Sequence, residues 1–427
     1  MFKSHRRIPR AEKSLSSLVM QPLGILSFVC AACLACTVQV DANLFGRQTK
    51  SQVVLVEPST FAVTSNFRNT SSQLFNPTST AAPFFQVFDR SFLDLIGPNP
   101  SLTEIASDSA TFAHEAPVYV PATDEVFFAS NNGNIGANQN NRVAKISMRA
   151  VETAIASGTG PKNVAVEQLT LSEDIQMTNG GTGPYQGSLV LATSGRGTRP
   201  PSIALVNPKA PYNSTVLLNN YFGRQFNSLN DVKIHPTSGT IFFTDVTYGN
   251  VNGFRPTPVI PNQVYRLDPN TRAVRVAATD FSMCNGIAFT ADGTIAYVSD
   301  TGSTAGATRP STIYAFDVDT KTQSFANRRV FAYADTGIPD GVQVDAQGNV
   351  YSGTGEGVQM ISRQKQTSRI CPSVWNDQGT LIGKFFIGTG SANMVFAGDG
   401  RLVILAETKI FLAKIAAKAP AWVAYPQ

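Results

Sequence analysis

Four glycines set the terms for what this chain can fold into. Gly239, Gly293, Gly348 and Gly400 each open an apolar strand, and they are separated by 54, 55 and 52 residues. A fixed period of this size marks a repeat architecture. The clearest copies are His235–Asp245 (HPTSGTIFFTD) and Thr290–Asp300 (TADGTIAYVSD), each a turn, a glycine and an apolar strand ending in a small polar pair. Weaker copies are Asp345–Thr354 and Ala397–Glu407, and Pro121–Ser130 and Tyr185–Ser194 complete a set of six. Between copies lie further strand–turn–strand units. Val264–Leu267 is followed by the turn Asp268-Pro269-Asn270 and Ala273–Val276, and Ile313–Phe316 by Asp317–Thr320 and Phe325. Four short strands per period, repeated six times, predict an all-β fold: a six-bladed β-propeller, which closes on itself and leaves few edges. Two stacked sandwiches would not explain one period running from residue 120 to 407. The apolar run Val53–Val56 is expected to complete a blade from the far end of the chain.

Composition agrees and removes other classes. The 427 residues are 42% hydrophobic and 15% charged, with 33 Gly, 25 Pro and 27 Phe. That is ample for a core, which excludes a disordered chain, and too poor in charge for a coiled coil. The net charge of +5 is concentrated at the N-terminus, where Lys3, Arg6, Arg7, Arg10 and Lys13 face only Glu12 and Asp41. The remainder has no basic stripe that would track phosphates, so nucleic acid is not an expected partner.

Residues 1–42 read as a secretory signal peptide. A basic stretch precedes an apolar run through Leu23, Ile25, Leu26, Phe28, Val29 and Leu34, and Val40-Asp41-Ala42 offers a small-residue cleavage site. A signal anchor is the alternative, because the run approaches spanning length; Pro22 and Ala42 favour cleavage, a secreted product and no membrane association afterwards. The sequons Asn69-Thr70-Ser71 and Asn213-Ser214-Thr215 fit a secreted glycoprotein. Cleavage removes Cys30, Cys33 and Cys36 and leaves Cys284 and Cys371, so this is not a disulfide scaffold. Residues 43–85 read as a Ser/Thr-rich leader with one strand, and 86–427 as the propeller.

Each repeat places one polar residue in a small-residue context just before its glycine-turn strand: Glu115, Asn179, Asn230, Asn285, Asp340 and Asn393. Asn230, Asn285 and Asp340 are each 55 residues apart. Residues one blade period apart occupy equivalent positions around the axis, so they converge on the central tunnel. Asn-Gly or Asp-Gly alone marks a turn; three such polar residues in phase with the period argue for a shared site. Carboxylates and amide carbonyls are hard oxygen donors, suited to Ca²⁺ and poorly suited to zinc or copper.

Asn230-Asp231-Val232, Thr244-Asp245, Asn285-Gly286, Ser299-Asp300 and Pro339-Asp340-Gly341-Val342 resemble the senescence-marker-protein/gluconolactonase family. Phe112–Val126 and Asn393–Phe411 are similar, more narrowly, to fungal secreted lactonohydrolases. The resemblance runs from about 86 to 415. It implies a six-bladed propeller with a catalytic divalent metal, usually Ca²⁺, in the tunnel. It places the metal ligands on Glu115, Asn230, Asn285 and Asp340, with Asp231 a carboxylate that orients the site. The family's glutamate is commonly followed by Gly-Pro; here Glu115 precedes Ala116-Pro117.

On this reading the substrate is a small lactone: an aldonolactone, a pantoyl-type lactone or an aromatic lactone. Asp340 serves the attacking water, Asn230 and Asn285 orient substrate as well as metal, and Asn179 and Asn393 contact substrate. His114 is a candidate base or hydrogen-bond donor, although alternation along a strand would send it to the face opposite Glu115. His235 opens a turn, and a structural role is expected of it. A phosphotriesterase of the diisopropyl-fluorophosphatase type uses the same scaffold and metal, and a catalytically silent binding propeller is a further alternative. The serine-hydrolase elbow G-x-S-x-G is missing. Loops Tyr248–Pro258 and Ser303–Pro310 are expected over the tunnel mouth. Residues 360–373, carrying Arg363, Lys365 and Arg369 without an acid, break the blade rhythm and are expected to be an exposed insertion or a gene-model error.

Overall fold

The computed structural model describes residues 52–420 apart from 66, 68–74, 132–136, 307, 356–372 and 399. The signal segment, Asn69, Cys371 and nearly all of the basic insertion lie outside the described residues. Six sheets each begin with an inner strand and step outward through four antiparallel strands. Blade 1 holds Glu115–Val120, Glu125–Ala129, Val143–Ser147 and Val166–Gln168; blade 2 holds Thr178–Tyr185, Ser188–Thr193, Ser202–Val206 and Ser214–Leu218. Blade 3 comprises Leu229–Ile234, Ile241–Asp245, Gln263–Leu267 and Val274–Ala278; blade 4 comprises Cys284–Phe289, Ile295–Asp300, Thr312–Val318 and Phe325–Tyr333. Blade 5 starts with Ile338–Val344, Val350–Gly355, Ser373–Trp375 and Leu381–Phe386, and blade 6 with Asn393–Phe396, Arg401–Ala406 and Lys409–Lys414. Successive inner strands pack on one another, and the last packs on the first, so the ring closes.

Period-2 alternation explains how blades stack. Phe242 and Phe243 are neighbours in one strand and point to opposite faces. Phe243 joins Val190, Ile203 and Tyr265 in the core between blades 2 and 3, whereas Phe242 joins Phe289, Val298 and Phe316 between blades 3 and 4. Burying one such ring contributes about 1.5–3 kcal/mol. Inner strands are covered on both faces, and every residue of Leu229–Ile234 and Cys284–Phe289 is buried. The outermost strand Phe325–Tyr333 is exposed over most of its length. The four period-setting glycines lie at φ 69°, 74°, 88° and 70°, a left-handed conformation that only glycine adopts without strain.

Closure differs from the sequence expectation. The strand that completes blade 6 is Ser101–Ser107, antiparallel to Lys409–Lys414. Val53–Leu55 completes no blade. It runs parallel to Phe84–Val87, which pairs with Leu381–Phe386, making a sixth strand at the outer edge of an already complete blade 5. The boundary placed at residue 86 therefore cuts through a strand of the propeller. Ser373 belongs to a strand rather than to the insertion, and Ser373–Trp375 pairs with Val350–Tyr351–Ser352 across the break. Among the described residues no helix is long and apolar enough to cross a membrane.

Candidate functional site

The inner strands share an irregularity at the polar positions. Leu229 pairs with Asp245 but Val232 with Phe243; Cys284 pairs with Asp300 but Ile287 with Val298. Pro339–Val342 and Glu115–Val118 slip in the same way. A bulge leaves residues out of the ladder and re-aims their side chains, and Asn230, Asn285 and Asp340 all sit within one. The bulges are held by hydroxyls of the second strands. Thr244 Oγ1 accepts from Asp231 N (2.9 Å) and donates to Asn285 O (2.8 Å), and Ser299 Oγ accepts from Gly286 N and donates to Asp340 O, both at 2.7 Å. A Cβ on Gly286 would collide with the backbone oxygen of Asp340, so this close approach of blades requires glycine.

Glu115, Asn179, Asn230, Asn285, Asp340 and Asn393 are all buried. Among the described residues, Asn230 Oδ1, Asn285 Oδ1 and Asp340 Oδ1 have no hydrogen-bond partner. Buried polar atoms are otherwise nearly always paired, and leaving three acceptors of neighbouring blades unpaired is unfavourable unless a cation takes them. A ring nitrogen of His114 and one carboxylate oxygen each from Glu115 and Asp340 lie within 4.8 Å of one another. Burial, and then the charge of Asp340, push the Glu115 carboxyl well above its ordinary value; burial likewise raises Asp340, against the opposing pull of His114. Two buried carboxylates that resist ionising together, ringed by orphaned carbonyl oxygens, fit a divalent cation with hard oxygen ligands.

Two of the predicted residues brace this cluster. Asn393 Nδ2 donates to Glu115 Oε2 at 2.8 Å while its Oδ1 accepts from Met394 N. Asn179 Nδ2 donates to Asn230 O at 3.4 Å. Asp231 spans two blades, its Oδ1 accepting from Val232 N and its Oδ2 from Ile287 N, two residues beyond Asn285. His235 Nε2 donates to Gly293 O at 2.9 Å and its ring packs on Phe289, holding a turn away from the cluster. Cys284 is a free, buried thiol.

His114 departs from the alternation argument. It precedes the first ladder residue of Glu115–Val120, and Ala116 lies at φ 54°, so regular alternation does not apply and both side chains reach the same cluster. Three further residues were not singled out from the sequence. Glu407 Oε1 accepts from His114 Nδ1 at 2.6 Å, and Asn131 Nδ2 donates to Glu407 Oε2 at 3.2 Å. Tyr248 hydrogen-bonds Thr301, and burial together with Asp340 raises its hydroxyl. Burial works against the charge of His114, but Glu407, Glu115 and Asp340 outweigh it and push the imidazole up to about 10. Glu407 was legible in outline, since it ends the repeat Ala397–Glu407 where Asp245 and Asp300 end theirs. Tyr248 opens the one-turn helix Tyr248–Val251, at the start of the stretch expected as a loop over the mouth.

Residues 115–408, which run from the first inner strand past Glu407, match the family described as the SMP-30/Gluconolactonase/LRE-like region. Lactonohydrolase oryL of Aspergillus oryzae is 27% identical over 350 residues, covering 75% of this chain and 71% of that protein. A gluconolactonase of Zymomonas mobilis is 33% identical over 173 residues, 39% of this chain and 46% of that one. A gluconolactonase structure from Xanthomonas campestris superposes with a TM-score of 0.59 at 23% identity, covering 78% of this chain and 95% of the other.

Proposed function

The chain belongs to the SMP-30/gluconolactonase/LRE-like family, and we propose that it is a secreted, calcium-dependent lactonase. The observation that carries this reading is the set of buried, unpartnered oxygens of Asn230, Asn285 and Asp340 beside the Glu115 carboxylate. Relatives named lactonohydrolase and gluconolactonase support hydrolysis of a lactone ester. In this reading Glu115, Asn230, Asn285 and Asp340 hold the cation, which when bound supplies a Lewis acid for the lactone carbonyl oxygen.

The chain's own groups do the rest. Asp340 takes a proton from the attacking water, and His114, beside it, serves the same proton transfer. Water adds to the carbonyl carbon, the ring C–O bond breaks, and a proton returns to the leaving alkoxide to give the open hydroxy acid. Asn230 and Asn285 orient the ester, and Asp231 holds the bulge of one blade against the next strand. The substrate contacts expected of Asn179 and Asn393 stay part of the proposal, Asn393 with the added task of fixing Glu115. Small polar lactones suit the ring of amides and carboxylates. The exposed Asn213 sequon supports glycosylation on the secretory route, with the signal removed after Ala42.

The test is pH-stat hydrolysis of aldono-, pantoyl-type and aromatic lactones, with EDTA and with Ca²⁺ restored. Turnover that needs Ca²⁺ and is lost in Asp340→Ala supports the reading. Organophosphate hydrolysis without lactone hydrolysis makes the chain a phosphotriesterase, and Ca²⁺ binding without either makes it a binding propeller. N-terminal sequencing of secreted material, starting at Asn43, checks the cleavage.

A further inference from the structure

We propose that Tyr248 is a specificity-determining residue, whose hydroxyl oxygen accepts a hydrogen bond from a hydroxyl on the lactone carbon next to the carbonyl. This inference deepens the lactonase reading and rests on it. Tyr248 follows the second strand of blade 3 and reaches across to blade 4, where its hydroxyl bonds that of Thr301. Its ring is partly buried against the core between those blades. Thr301 Oγ1 in turn donates to Met283 O at 3.0 Å, two residues before Asn285. A threonine has one hydroxyl hydrogen, so the hydrogen shared by the two hydroxyls is the tyrosine's. The order runs from Tyr248 to Thr301 to Met283 O and leaves the phenol oxygen as an acceptor. That oxygen lies beside the cluster, where Asn285 and Asp340 both act on it.

The surroundings hold the residue in place. A Cβ on Gly249 would collide with Cγ of Arg255, so only glycine lets the short helix sit this close. Gly249 N donates to Ser228 Oγ at 2.8 Å, and Gly249 O accepts from Phe254 N and Arg255 N, both at 2.9 Å. The buried Arg255 guanidinium donates to Asn227 O, Gly197 O, Arg199 O and Gln225 Oε1, tying the loops of blades 2 and 3 to one another. A polar group fixed in this way is pre-organised to discriminate between ligands. A lactone whose carbonyl is drawn to Asn230, Asn285 and Asp340 presents the substituent on the adjacent carbon to the groups that flank them, and Tyr248 flanks two of the three. A hydroxyl at that carbon gives the phenol oxygen a donor; a C–H there leaves the oxygen desolvated and unpaired. Aldonolactones and pantoyl-type lactones carry such a hydroxyl, and an unsubstituted lactone does not.

The experiment compares α-hydroxy-γ-butyrolactone with γ-butyrolactone, which differ by that one hydroxyl, by pH-stat on the full calcium-loaded chain. The wild type prefers the hydroxylated lactone in kcat/KM. Tyr248→Phe keeps the ring and removes the oxygen, lowering kcat/KM about tenfold for the hydroxylated lactone and leaving the plain one within about twofold. A merely structural role would lower both alike. Thr301→Val frees the phenol to turn and reduces the preference by a smaller factor, about threefold. Calcium affinity by calorimetry stays within about twofold of wild type in Tyr248→Phe; its loss would assign the tyrosine to bracing Asn285 and overturn the inference. A wild type without the preference overturns it too, as does a Tyr248→Phe variant that lowers both lactones equally or neither. If the wild type hydrolyses no lactone, the lactonase reading falls. Calorimetric binding of α-hydroxy-γ-butyrolactam and γ-butyrolactam then decides separately. The inference stands only if the hydroxylated lactam binds more tightly and Tyr248→Phe erases that gap.

Discussion

Blades 3 and 4 and the seam between blades 6 and 1 are built from the same repeat and use it differently. In blades 3 and 4 the acid ending the second strand is absorbed into the backbone: Asp245 accepts from Asn227 N and Ser228 N, and Asp300 from Ser282 N, Met283 N and Gly302 N. At the seam the matching acid, Glu407, goes to His114, and the inner-strand amide of Asn393 goes to Glu115. One region uses its polar residues to hold strands, the other to hold side chains. The periodic part of the propeller brings Asn230, Asn285 and Asp340 onto one ring; the seam, where the period is broken, adds the side-chain pairs that hold Glu115 and His114.

That contrast is sharpest in Glu115→Gln. Catalysis is expected to fall about 1,000-fold in kcat/KM by pH-stat, while the chelated protein unfolds no more easily, because one of two mutually repelling buried carboxylates has gone. A variant that simply unfolds would break the contrast. Asp300→Ala should behave in the opposite sense, losing about 3 kcal/mol in urea unfolding because several backbone N–H groups lose a charged acceptor. Chelation comes next. Ca²⁺ at about 100 times its Kd is expected to add about 2.7 kcal/mol of stability, read as a higher Tm that Glu115→Gln lacks. The pH dependence follows from the raised Glu115 carboxyl. Its folded value exceeds its unfolded one, so in EDTA its contribution to stability is full below the ordinary glutamate range and is lost as pH rises from there through the raised value; Ca²⁺ should flatten that decline, and Glu115→Gln should remove it. The smallest effect belongs to the connection over 356–372. Shortening it to about six residues should change stability by less than about 1 kcal/mol, because the strands on either side already pair.

The sequence period was enough to place six blades and to bring Asn230, Asn285 and Asp340 onto one ring, since translation by one blade preserves orientation. It was a weaker guide at the seam. His114 was set against by an alternation rule that holds only inside a regular ladder, and Glu407 meets it from 293 residues away, beyond any local spacing. Ser101–Ser107 carries no glycine turn and no polar mark, so its part in closure was invisible, whereas the more apolar Val53–Leu55 drew the attention and turned out to be peripheral. Tyr248 lies in a loop whose path depends on Arg255, buried and hydrogen-bonded to Asn227, Gly197 and Arg199. Contacts of that kind leave no periodic trace.

The strand that closes blade 6 is among the first parts of the propeller to leave the ribosome, and its partner Lys409–Lys414 among the last. Blades 1 to 4 are contiguous in the chain and can assemble as they emerge. Glu115 and His114 must wait in the nascent protein for Asn393 and Glu407, which arrive about 280 to 290 residues later. The site therefore comes into being only at the end of synthesis. A ribosome that stalls anywhere before the last blade releases a chain with most of its core and an open ring, lacking the groups that fix the acid and the imidazole.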